Sequence, residues 1–336
     1  MRIAFFSAKP YDRRAFEVAE SRHDITYFDA RLAPATAPLA EGHEAVCAFV
    51  SDDLSAGTLD ILAAAGIRLV LLRSAGFNHI DLEAAEGHGL VVARVPAYSP
   101  HAVAEHAIAL ALALNRRLHR AHNRVREGNF ELAGLLGVDL HGKTAGIVGT
   151  GRIGAAAAKI LGPGFGMRLL VHDPYPNPEV QAMGASYVDI DTLLVESDLV
   201  SLHCPLTPES YHLLNASAFA RMKPSAILVN TSRGGLVDTA ALVDALKEGQ
   251  IGAVALDVYE EEGDLFFQDL SDEGVLDDVF ARLLTFPNAL ITGHQGFFTA
   301  EALSAIAETT LSNATAFDRD GCLPEPNAVT AARHTA

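Results

Sequence analysis

Residues 144–154 read TAGIVGTGRIG, an apolar run that leads directly into the glycine pattern G-x-G-x-x-G. Gly149 permits the tight turn after a strand, and Gly151 lets a pyrophosphate approach the backbone. Gly154 allows close packing between the strand and the Ala-rich segment that follows, which is typical of a helix. Because the pattern has this context on both sides, it predicts a dinucleotide-binding strand–turn–helix.

The residues around this pattern indicate which dinucleotide binds. Arg152 and Ile153 begin the predicted helix, where backbone N–H groups and the helix dipole favour the negative pyrophosphate. Asp173 ends the next predicted strand, at the usual distance of about 20 residues from the pattern. A carboxylate there accepts hydrogen bonds from both adenosine ribose hydroxyls and repels a 2′-phosphate, so the sequence predicts NAD rather than NADP.

Outside this stretch, short apolar runs alternate with helical segments, a pattern that predicts parallel α/β structure. One series of runs covers residues 1 to about 95, and the other covers residues 143–292. Six strands joined by crossovers are predicted in the second series, which favours a doubly wound sheet. The remaining tail, from about residue 297 to residue 336, begins with a helix predicted at 300–316. The tail is too short to form a domain, so it is expected to pack back on the first series.

Composition excludes several classes of protein. The 336 residues carry 25 Lys and Arg against 42 Asp and Glu, a formal net charge of −17, and 49% are hydrophobic. This balance indicates a folded chain of about two domains and disfavours a binder of nucleic acid or anionic membranes. The three cysteines form no CxxC pair, and neither a metal site, a signal peptide nor a membrane span is predicted. A cytoplasmic location is therefore expected.

Candidate site residues follow the predicted strands, because ligands of open α/β sheets bind beyond the carboxyl ends of the strands. Besides the glycine pattern and Asp173, these residues are His203, Cys204, Pro205, Thr231, Ser232, Arg233, Asp257 and His294. They are far apart in the sequence but are expected to share one edge of the sheet. The sequence therefore predicts an active site at this edge.

The side chains at this edge suit hydride transfer to a 2-oxo acid. His294 is the candidate proton donor because imidazole titrates near neutral pH. Arg233 can bind a substrate carboxylate through two parallel hydrogen bonds and polarise the neighbouring carbonyl. Asp257 is the candidate acceptor for the nicotinamide carboxamide, whereas His203 and Cys204 are expected to shape the cofactor groove.

A run of three acids follows Asp257, and one of them is expected to pair with His294. The run is Glu260-Glu261-Glu262. A carboxylate beside the imidazole favours its protonated form and raises the pKa of a histidine. The spacing alone does not distinguish the three acids from one another or from a solvated acidic surface.

Longer blocks of the sequence resemble the NAD-dependent D-2-hydroxyacid dehydrogenases, and within them the fermentative D-lactate dehydrogenases. The block NTSRG at 230–234 is shared widely in that family. The blocks VPAYSP at 95–100, DVYEEEGDLFF at 257–267 and TGHQGF at 292–297 are more typical of the D-lactate branch. The resemblance extends from about residue 46 to residue 303, which is nearly the whole chain.

The resemblance implies roles for individual residues. Among the three acids it selects Glu262, five residues after the Asp of DVYE, and it groups Glu262 with Arg233 and His294 as a catalytic triad. The implied substrate contacts are the backbone amides near Ala75 and Gly76 and the side chains of Tyr98 and Phe297.

The resemblance also implies the architecture, two doubly wound parallel-sheet domains with the active site in the cleft. Residues 1–98 and 297–336 are expected to form a discontinuous, flavodoxin-like substrate domain, and residues 99–296 a Rossmann NAD-binding domain. The implied activity is reduction of pyruvate to D-lactate by NADH, and the stereochemistry rests on the resemblance alone. The alternatives are a reductase of glyoxylate, hydroxypyruvate or a bulkier 2-oxo acid, and a non-catalytic NAD-sensing protein.

Three local features complete the expectations. The apolar helix predicted from Pro100 to about Glu127 is expected to carry contacts between subunits of a homo-oligomer, either a dimer or a tetramer. Gly296 stands where the D-lactate branch usually has Ala, and it is expected to loosen the backbone beside His294. The segment 161–164, LGPG, is one residue longer than the usual turn and is expected to move that turn.

Overall fold

The computed structural model describes residues 1–19 and 21–331 of the chain. It divides the protein into two compact units, the first formed by residues 1–99 with the chain from residue 298 onward, and the second by residues 100–297. Each unit is built on a mostly parallel sheet, which confirms the doubly wound α/β class. Within the described residues, no helix is both long and apolar enough to cross a membrane.

Strands and helices alternate over the first 99 residues. The strands are β1 (Arg2–Phe5), β2 (Asp24–Tyr27), β3 (Ala45–Ala48), β4 (Leu69–Leu72) and β5 (Val91–Ala93). The helices are α1 (Pro10–Val18), α2 (Ala56–Ala64) and α3 (Leu82–Gly87), with a 3₁₀ turn at Ala37–Ala40. Strand β2 was not predicted, because its residues at the edge of the sheet are exposed or half-buried and form no continuous apolar run.

The second unit continues the same alternation. Its helices are α4 (Pro100–Asn115), α5 (Leu118–Arg126), α6 (Arg152–Lys159), α7 (Pro178–Ala182), α8 (Ile190–Glu196), α9 (Ala216–Phe219), α10 (Thr239–Glu248) and α11 (Asp278–Leu284). Its strands are β6 (Thr144–Val148), β7 (Arg168–His172), β8 (Ser186–Tyr187), β9 (Leu199–Leu202), β10 (Ile227–Asn230), β11 (Ala253–Leu256) and β12 (Ala289–Ile291). Short helical turns lie at Ile160–Gly164, Gly234–Leu236 and Glu262–Asp264.

The sheet of the second unit runs in the order β12-β11-β10-β9-β6-β7-β8, and its paired strands are parallel. This is the Rossmann order with one further strand, β12, at the edge. The order of the strands reverses between β6 and β9, which is where such sheets bind their ligands. Strand β8 was not predicted, because two residues are too short to show a strand pattern.

The long helix predicted from Pro100 to Glu127 is wrong in its length, because the chain forms two helices there. Arg117 has a φ of +50° in the left-handed region, which ends α4 and separates it from α5. Nine residues of α4 are buried, and the helix packs on α6, β10 and β11. Its apolar surface therefore belongs to the core of its own unit, whereas every residue of α5 is at least partly exposed.

The extra residue after α6 is accommodated by a π-helical turn at Ile160–Gly164. The N–H of Phe165 donates to the carbonyl of Ile160, five residues earlier, at 3.0 Å. A Cβ on Gly162 would lie 2.6 Å from Leu169 Cδ1, so the glycine lets this turn pack on β7. The insertion is confined to the turn, and β7 keeps its parallel pairing with β6.

The chain returns to the first unit through α12 (Ala300–Asp320) and β13 (Ala328–Val329). Helix α12 packs on α1 and β4, and its apolar residues join the core that covers one face of that sheet. Strand β13 pairs antiparallel with β5, which gives the order β13-β5-β4-β3-β1-β2. The parallel strands of this sheet have the flavodoxin-like order 2-1-3-4-5.

The glycine pattern after β6 is tightly packed at both ends and open in the middle. Gly149 has a φ of +91°, and a Cβ there would lie 2.6 Å from the backbone nitrogen of Cys204. A Cβ on Gly154 would lie 1.9 Å from the carbonyl oxygen of Gly149. Around Gly151, no described atom outside its own chain neighbours lies within 4 Å of the Cβ position. The fold itself therefore requires the first and third glycines, but not the second.

This difference predicts opposite outcomes for two single-methyl substitutions. Gly154→Ala is expected to lower the free energy of unfolding by about 1–3 kcal/mol, because the new methyl group meets rigid backbone. Gly151→Ala is the matched control and is expected to leave the free energy of unfolding nearly unchanged. Urea denaturation followed by circular dichroism measures both values. Equal stability of the two variants would contradict the packing described here.

Candidate active site

The carboxyl ends of the parallel strands in the second unit share one edge of the sheet, and the predicted site residues follow them there. The glycine pattern follows β6, Asp173 follows β7, His203, Cys204 and Pro205 follow β9, Thr231, Ser232 and Arg233 follow β10, Asp257 follows β11 and His294 comes after β12. Strands β10, β11 and β12 are neighbours, so Arg233, Asp257 and His294 leave adjacent strands. The parallel topology thus assembles residues that are distant in the sequence.

His294 and Glu262 form a direct pair at this edge. The Nδ1 atom of His294 lies 2.8 Å from Oε1 of Glu262, and about a fifth to a quarter of each side chain is exposed. The other carboxylate oxygen of Glu262 accepts the backbone N–H of Tyr259 at 3.0 Å. Because a carboxylate only accepts hydrogen bonds, Nδ1 is the donor, and Nε2 is the ring nitrogen left to exchange a proton with a substrate.

The structure shows which of the three consecutive acids pairs with His294, a choice that the residue spacing left open. Glu262 contacts His294, whereas the carboxylate of Glu260 contacts the imidazole of His212. Glu261 is exposed. The short 3₁₀ turn at Glu262–Asp264 begins at this point and turns the three side chains in different directions. The geometry thus agrees with the selection of Glu262 that the family resemblance implied.

Asp257 is the buried carboxylate that organises the loop of His294. Its oxygens accept hydrogen bonds from the N–H groups of Gln295 (2.9 Å) and Gly296 (2.7 Å) and from the hydroxyl of Thr292 (2.5 Å). Its backbone carbonyl accepts the N–H of His294 at 2.7 Å. These contacts hold His294 in the left-handed region, at a φ of +52°, which a non-glycine residue adopts only where the surroundings impose it.

His106 of α4 completes the environment of Asp257. Its Nε2 atom lies 3.2 Å from Oδ1 of Asp257 and 3.2 Å from the hydroxyl of Thr292. Burial by itself raises the pKa of Asp257, but the hydrogen bonds that it accepts outweigh this effect and lower the pKa below its ordinary value. Asp257 is therefore an ionised anchor, and its expected contact with the nicotinamide carboxamide stays a prediction.

Gly296, the departure from the usual Ala, lies against this anchor. A Cβ at this position would stand 3.0 Å from Oδ2 of Asp257 and 3.4 Å from Cδ2 of His106. The missing methyl group lets the backbone N–H approach the carboxylate at 2.7 Å. The loop of His294 packs closely on Asp257 here, and the expected loosening stays a prediction.

Arg233 extends from a loop that its neighbours hold in place. Its carbonyl accepts the side-chain amide of Asn230 at 2.8 Å, and the hydroxyl of Ser232 donates to the carbonyl of Cys204 at 2.7 Å. The guanidinium is half-buried and donates to the carbonyl of Ser232 at 2.7 Å. Its remaining N–H groups suit a bidentate carboxylate contact.

Burial favours the neutral forms of the His203 ring and the Cys204 thiol at neutral pH. Burial lowers the pKa of His203 to about 4, so its ring is neutral, and Nε2 lies 2.9 Å from the hydroxyl of Ser201. Burial raises the pKa of the Cys204 thiol to about 11. Both residues lie against the glycine pattern, since a Cβ on Gly149 would contact their backbone atoms. A role in shaping the cofactor groove is consistent with these properties.

Asp173 is oriented by the glycine pattern itself. Its Oδ2 atom accepts the N–H of Thr150 at 2.6 Å and the hydroxyl of Thr150 at 3.1 Å. Its Oδ1 atom accepts the N–H of Tyr175 at 2.8 Å. The carboxylate is therefore held beside the pattern at the carboxyl end of β7, and the role of Thr150 in placing it was missed in the sequence.

The implied substrate contacts are divided between the two units. Ala75 and Gly76 follow β4 in the first unit, where the hydroxyl of Ser74 donates to the carbonyl of Gly76 at 2.7 Å and Arg94 donates to that of Ala75 at 3.3 Å. Tyr98 is half-buried in the same unit. Phe297 is the last residue of the second unit.

Phe267 is a site neighbour that the sequence patterns did not identify. Its ring centroid lies 5.7 Å from that of His294, and its φ of +66° is rare for a bulky residue. Phe266 packs in the core beside Phe280. The residue types of the sequence do not reveal a backbone conformation of this kind.

Within the described residues, no group of three His, Cys, Asp or Glu side chains could hold a metal ion.

Comparisons with known proteins agree with this geometry. Residues 108–296 match the family described as D-isomer specific 2-hydroxyacid dehydrogenase, NAD binding domain. A D-lactate dehydrogenase of Escherichia coli is 52% identical over 326 residues, which are 96% of this chain and 99% of that protein. A 2-hydroxyacid dehydrogenase homolog of Haemophilus influenzae is 53% identical over 93% of this chain and 95% of its own length.

Solved structures extend the similarity to three dimensions. The apo structure of the Escherichia coli D-lactate dehydrogenase superposes with a TM-score of 0.89 at 48% identity, over 98% of this chain and 100% of that chain. The pyruvate reductase of Chlamydomonas reinhardtii superposes with a TM-score of 0.91 at 44% identity, over 97% of this chain and 98% of that chain. The chain therefore belongs to the D-isomer specific 2-hydroxyacid dehydrogenases, a family of NAD-dependent oxidoreductases.

Proposed function

We propose that this enzyme is a D-lactate dehydrogenase that reduces pyruvate to D-lactate with NADH. The single observation that carries the proposal is the His294–Glu262 pair, with 2.8 Å between Nδ1 and Oε1, on the strand edge that also holds Arg233. The names of the similar proteins, D-lactate dehydrogenase and pyruvate reductase, support this substrate. The proposal retains a substrate domain of residues 1–98 and 297–336 and an NAD-binding domain of residues 99–296.

The residues after β6 fit the dinucleotide. The space in front of Gly151 is open, and the first turn of α6, with Arg152 and Ile153, has backbone N–H groups without partners inside the helix. The carboxylate of Asp173 lies beside this turn and suits ribose hydroxyls. When bound, NADH supplies a hydride for the carbonyl carbon of the substrate.

The side chains of the site supply the proton and hold the substrate. Nε2 of His294 gives a proton to the carbonyl oxygen that becomes the hydroxyl, and it takes this proton back in the reverse reaction. Glu262 accepts a hydrogen bond from Nδ1–H, so it keeps Nε2 oriented and compensates the positive charge of the protonated ring. Arg233 binds the substrate carboxylate and polarises the carbonyl. The backbone of Ala75 and Gly76, Tyr98 and Phe297 complete the proposed substrate contacts.

We further propose that the enzyme is a homo-oligomer that uses the apolar surface of residues 118–138. The large apolar side chains exposed along this segment are Leu118, Val125, Phe130, Leu132, Leu136 and Val138. Leu132 and Leu136 are 80% and 89% exposed. A cluster of this kind on a soluble protein marks an interaction surface, and a second copy of the chain would cover it.

The proposed reaction is tested first with the purified enzyme, NADH and pyruvate, and then with NAD and each enantiomer of lactate. We expect pyruvate reduction and oxidation of D-lactate alone, followed by nicotinamide absorbance. Activity only on glyoxylate, hydroxypyruvate or a larger 2-oxo acid would replace the substrate. Binding of NADH without turnover of any 2-oxo acid would instead favour an NAD-sensing protein.

The role of His294 is tested by His294→Asn, because asparagine accepts the left-handed backbone at this position. We expect kcat to fall about 10²–10⁴-fold through loss of the proton donor, whereas NADH binding, measured by fluorescence, is retained. The exposed His88 provides the control His88→Asn, which is expected to keep wild-type activity. An unchanged kcat in His294→Asn would exclude His294 as the proton donor.

The role of Arg233 is tested by Arg233→Lys, which keeps the charge but removes the planar fork that binds a carboxylate. We expect kcat/KM for pyruvate to fall about 10–100-fold, with little change in the Kd of NADH. Arg221→Lys is the control, because Arg221 is exposed and pairs with Asp191. A change in NADH binding without a change in pyruvate kinetics would assign Arg233 to the cofactor instead.

The oligomer is tested by placing charges in the apolar surface. The double variant Leu132→Asp/Leu136→Asp is expected to lower the mass measured by light scattering, because both side chains would be buried between subunits. Leu276→Asp is the control, since Leu276 is 90% exposed but lies outside this segment. A wild-type enzyme with the mass of a single chain would refute the proposed oligomer.

A further inference from the structure

A second histidine–carboxylate pair lies next to the catalytic one, between His212 and Glu260. Oε1 of Glu260 contacts Nε2 of His212 and accepts the hydroxyl of Tyr211 at 3.2 Å. Oε2 accepts the hydroxyl of Thr239 at 3.2 Å. The side chains of the pair are 29% and 18% exposed. Glu260 thus joins its own segment to the loop after β9 and to the first turn of α10.

The segment of Glu260 also carries Glu262, and both this segment and the loop after β9 contact the loop of Arg233. Backbone packs directly on backbone here, since a Cβ on Gly234 would lie 2.1 Å from the carbonyl carbon of Tyr259. The N–H of His212 donates to the carbonyl of Gly235 at 2.9 Å. The N–H of Tyr259 donates to Glu262, which contacts His294. Movement of Glu260 would therefore move both catalytic loops.

The surroundings of His212 suit an ion pair. Its ring stacks on Tyr211 with centroids 3.9 Å apart, and Nδ1 lies 3.9 Å from Oδ2 of Asp238. Each of the two ring nitrogens thus has a carboxylate nearby, and one face of the ring packs on Tyr211. His212 also has a φ of +50°, a left-handed conformation that persists only where several contacts impose it.

We propose that the His212–Glu260 pair is a latch that positions the catalytic groups. The pair holds the segment from Tyr259 to Glu262 against the loop of Arg233, so that Glu262 meets His294 while Arg233 stays on the neighbouring strand end. His212 and Glu260 are positioning residues, because they act through Arg233 and Glu262. The kinetic part of this proposal rests on the proposed function, whereas its structural part does not.

The latch is tested with two variants and one matched control. Glu260→Gln keeps the shape of the side chain but removes its charge. His212→Asn tolerates the left-handed backbone but is too short to reach Glu260. Glu261→Gln is the control, since it removes the same charge from the adjacent, exposed residue.

The first readout does not need activity. NMR of histidine labelled at Cε1 reports on the surroundings of His294, whose signal is assigned with His294→Asn. At one fixed pH, we expect this signal to change its chemical shift in Glu260→Gln and in His212→Asn, because Glu262 is no longer held beside the ring. Glu261→Gln is expected to keep the wild-type chemical shift. Equal chemical shifts in all variants would overturn the latch.

The second readout separates positioning from general stability. In both latch variants we expect kcat/KM for pyruvate to fall about tenfold or more. The Kd of NADH is expected to stay within about twofold of the wild-type value. The double variant is expected to have a kcat/KM no lower than that of the more impaired single variant, because both substitutions disrupt the same contact between His212 and Glu260. A proportional loss of pyruvate and NADH binding would indicate a merely structural role and overturn the proposal.

The two proposals fail in different ways. A wild-type enzyme that turns over no 2-oxo acid would refute the proposed function, and the NMR signal of His294 would still test the latch. If Glu260→Gln does not fold, His212→Asn carries the same comparison. If the wild type is active and both latch variants match Glu261→Gln in chemical shift and kinetics, the latch alone is refuted.

Discussion

The buried carboxylate of Asp257 is the contact on which the geometry of the site depends. A carboxylate away from water requires donors, and it finds them in the N–H groups of Gln295 and Gly296, in Thr292 and in His106. The chain after β12 wraps around it as a result, and His294 takes a backbone conformation that it would otherwise avoid. The position of His294, the proposed proton donor, is thus a consequence of satisfying one buried charge.

The segment that follows Asp257 forms two histidine–carboxylate pairs. In the proposed mechanism, the pair of His294 and Glu262 presents a ring nitrogen to the substrate. The proposed latch of His212 and Glu260 holds the loops of that pair and of Arg233 together. Both histidines have a positive φ, and each is held by backbone hydrogen bonds as well as by its carboxylate. Glu260 and Glu262 of one short segment therefore contact different histidines, because a tight turn directs their side chains to different neighbours.

The departures from the family pattern show how much local change the fold absorbs. The extra residue after α6 becomes a π-helical turn, which uses one more residue per hydrogen-bonded ring and leaves the strand register intact. At Gly296, the absence of a side chain leaves the backbone close to the carboxylate of Asp257 and to His106. Both positions lie beside regular strands or buried hydrogen bonds.

The sequence by itself determined the class of fold, the NAD fingerprint and the set of candidate residues, because parallel strands, glycine turns and strand-end polar groups each have a short-range pattern. It also determined most strand positions, but not β2, β8 and β13, whose edge places or short lengths leave no apolar run. Only the tertiary structure decided that Glu262 meets His294, that α4 faces inward and that Phe267 lies beside the ring. These outcomes depend on which residues the chain brings together after long separations, and on backbone angles that residue types do not reveal.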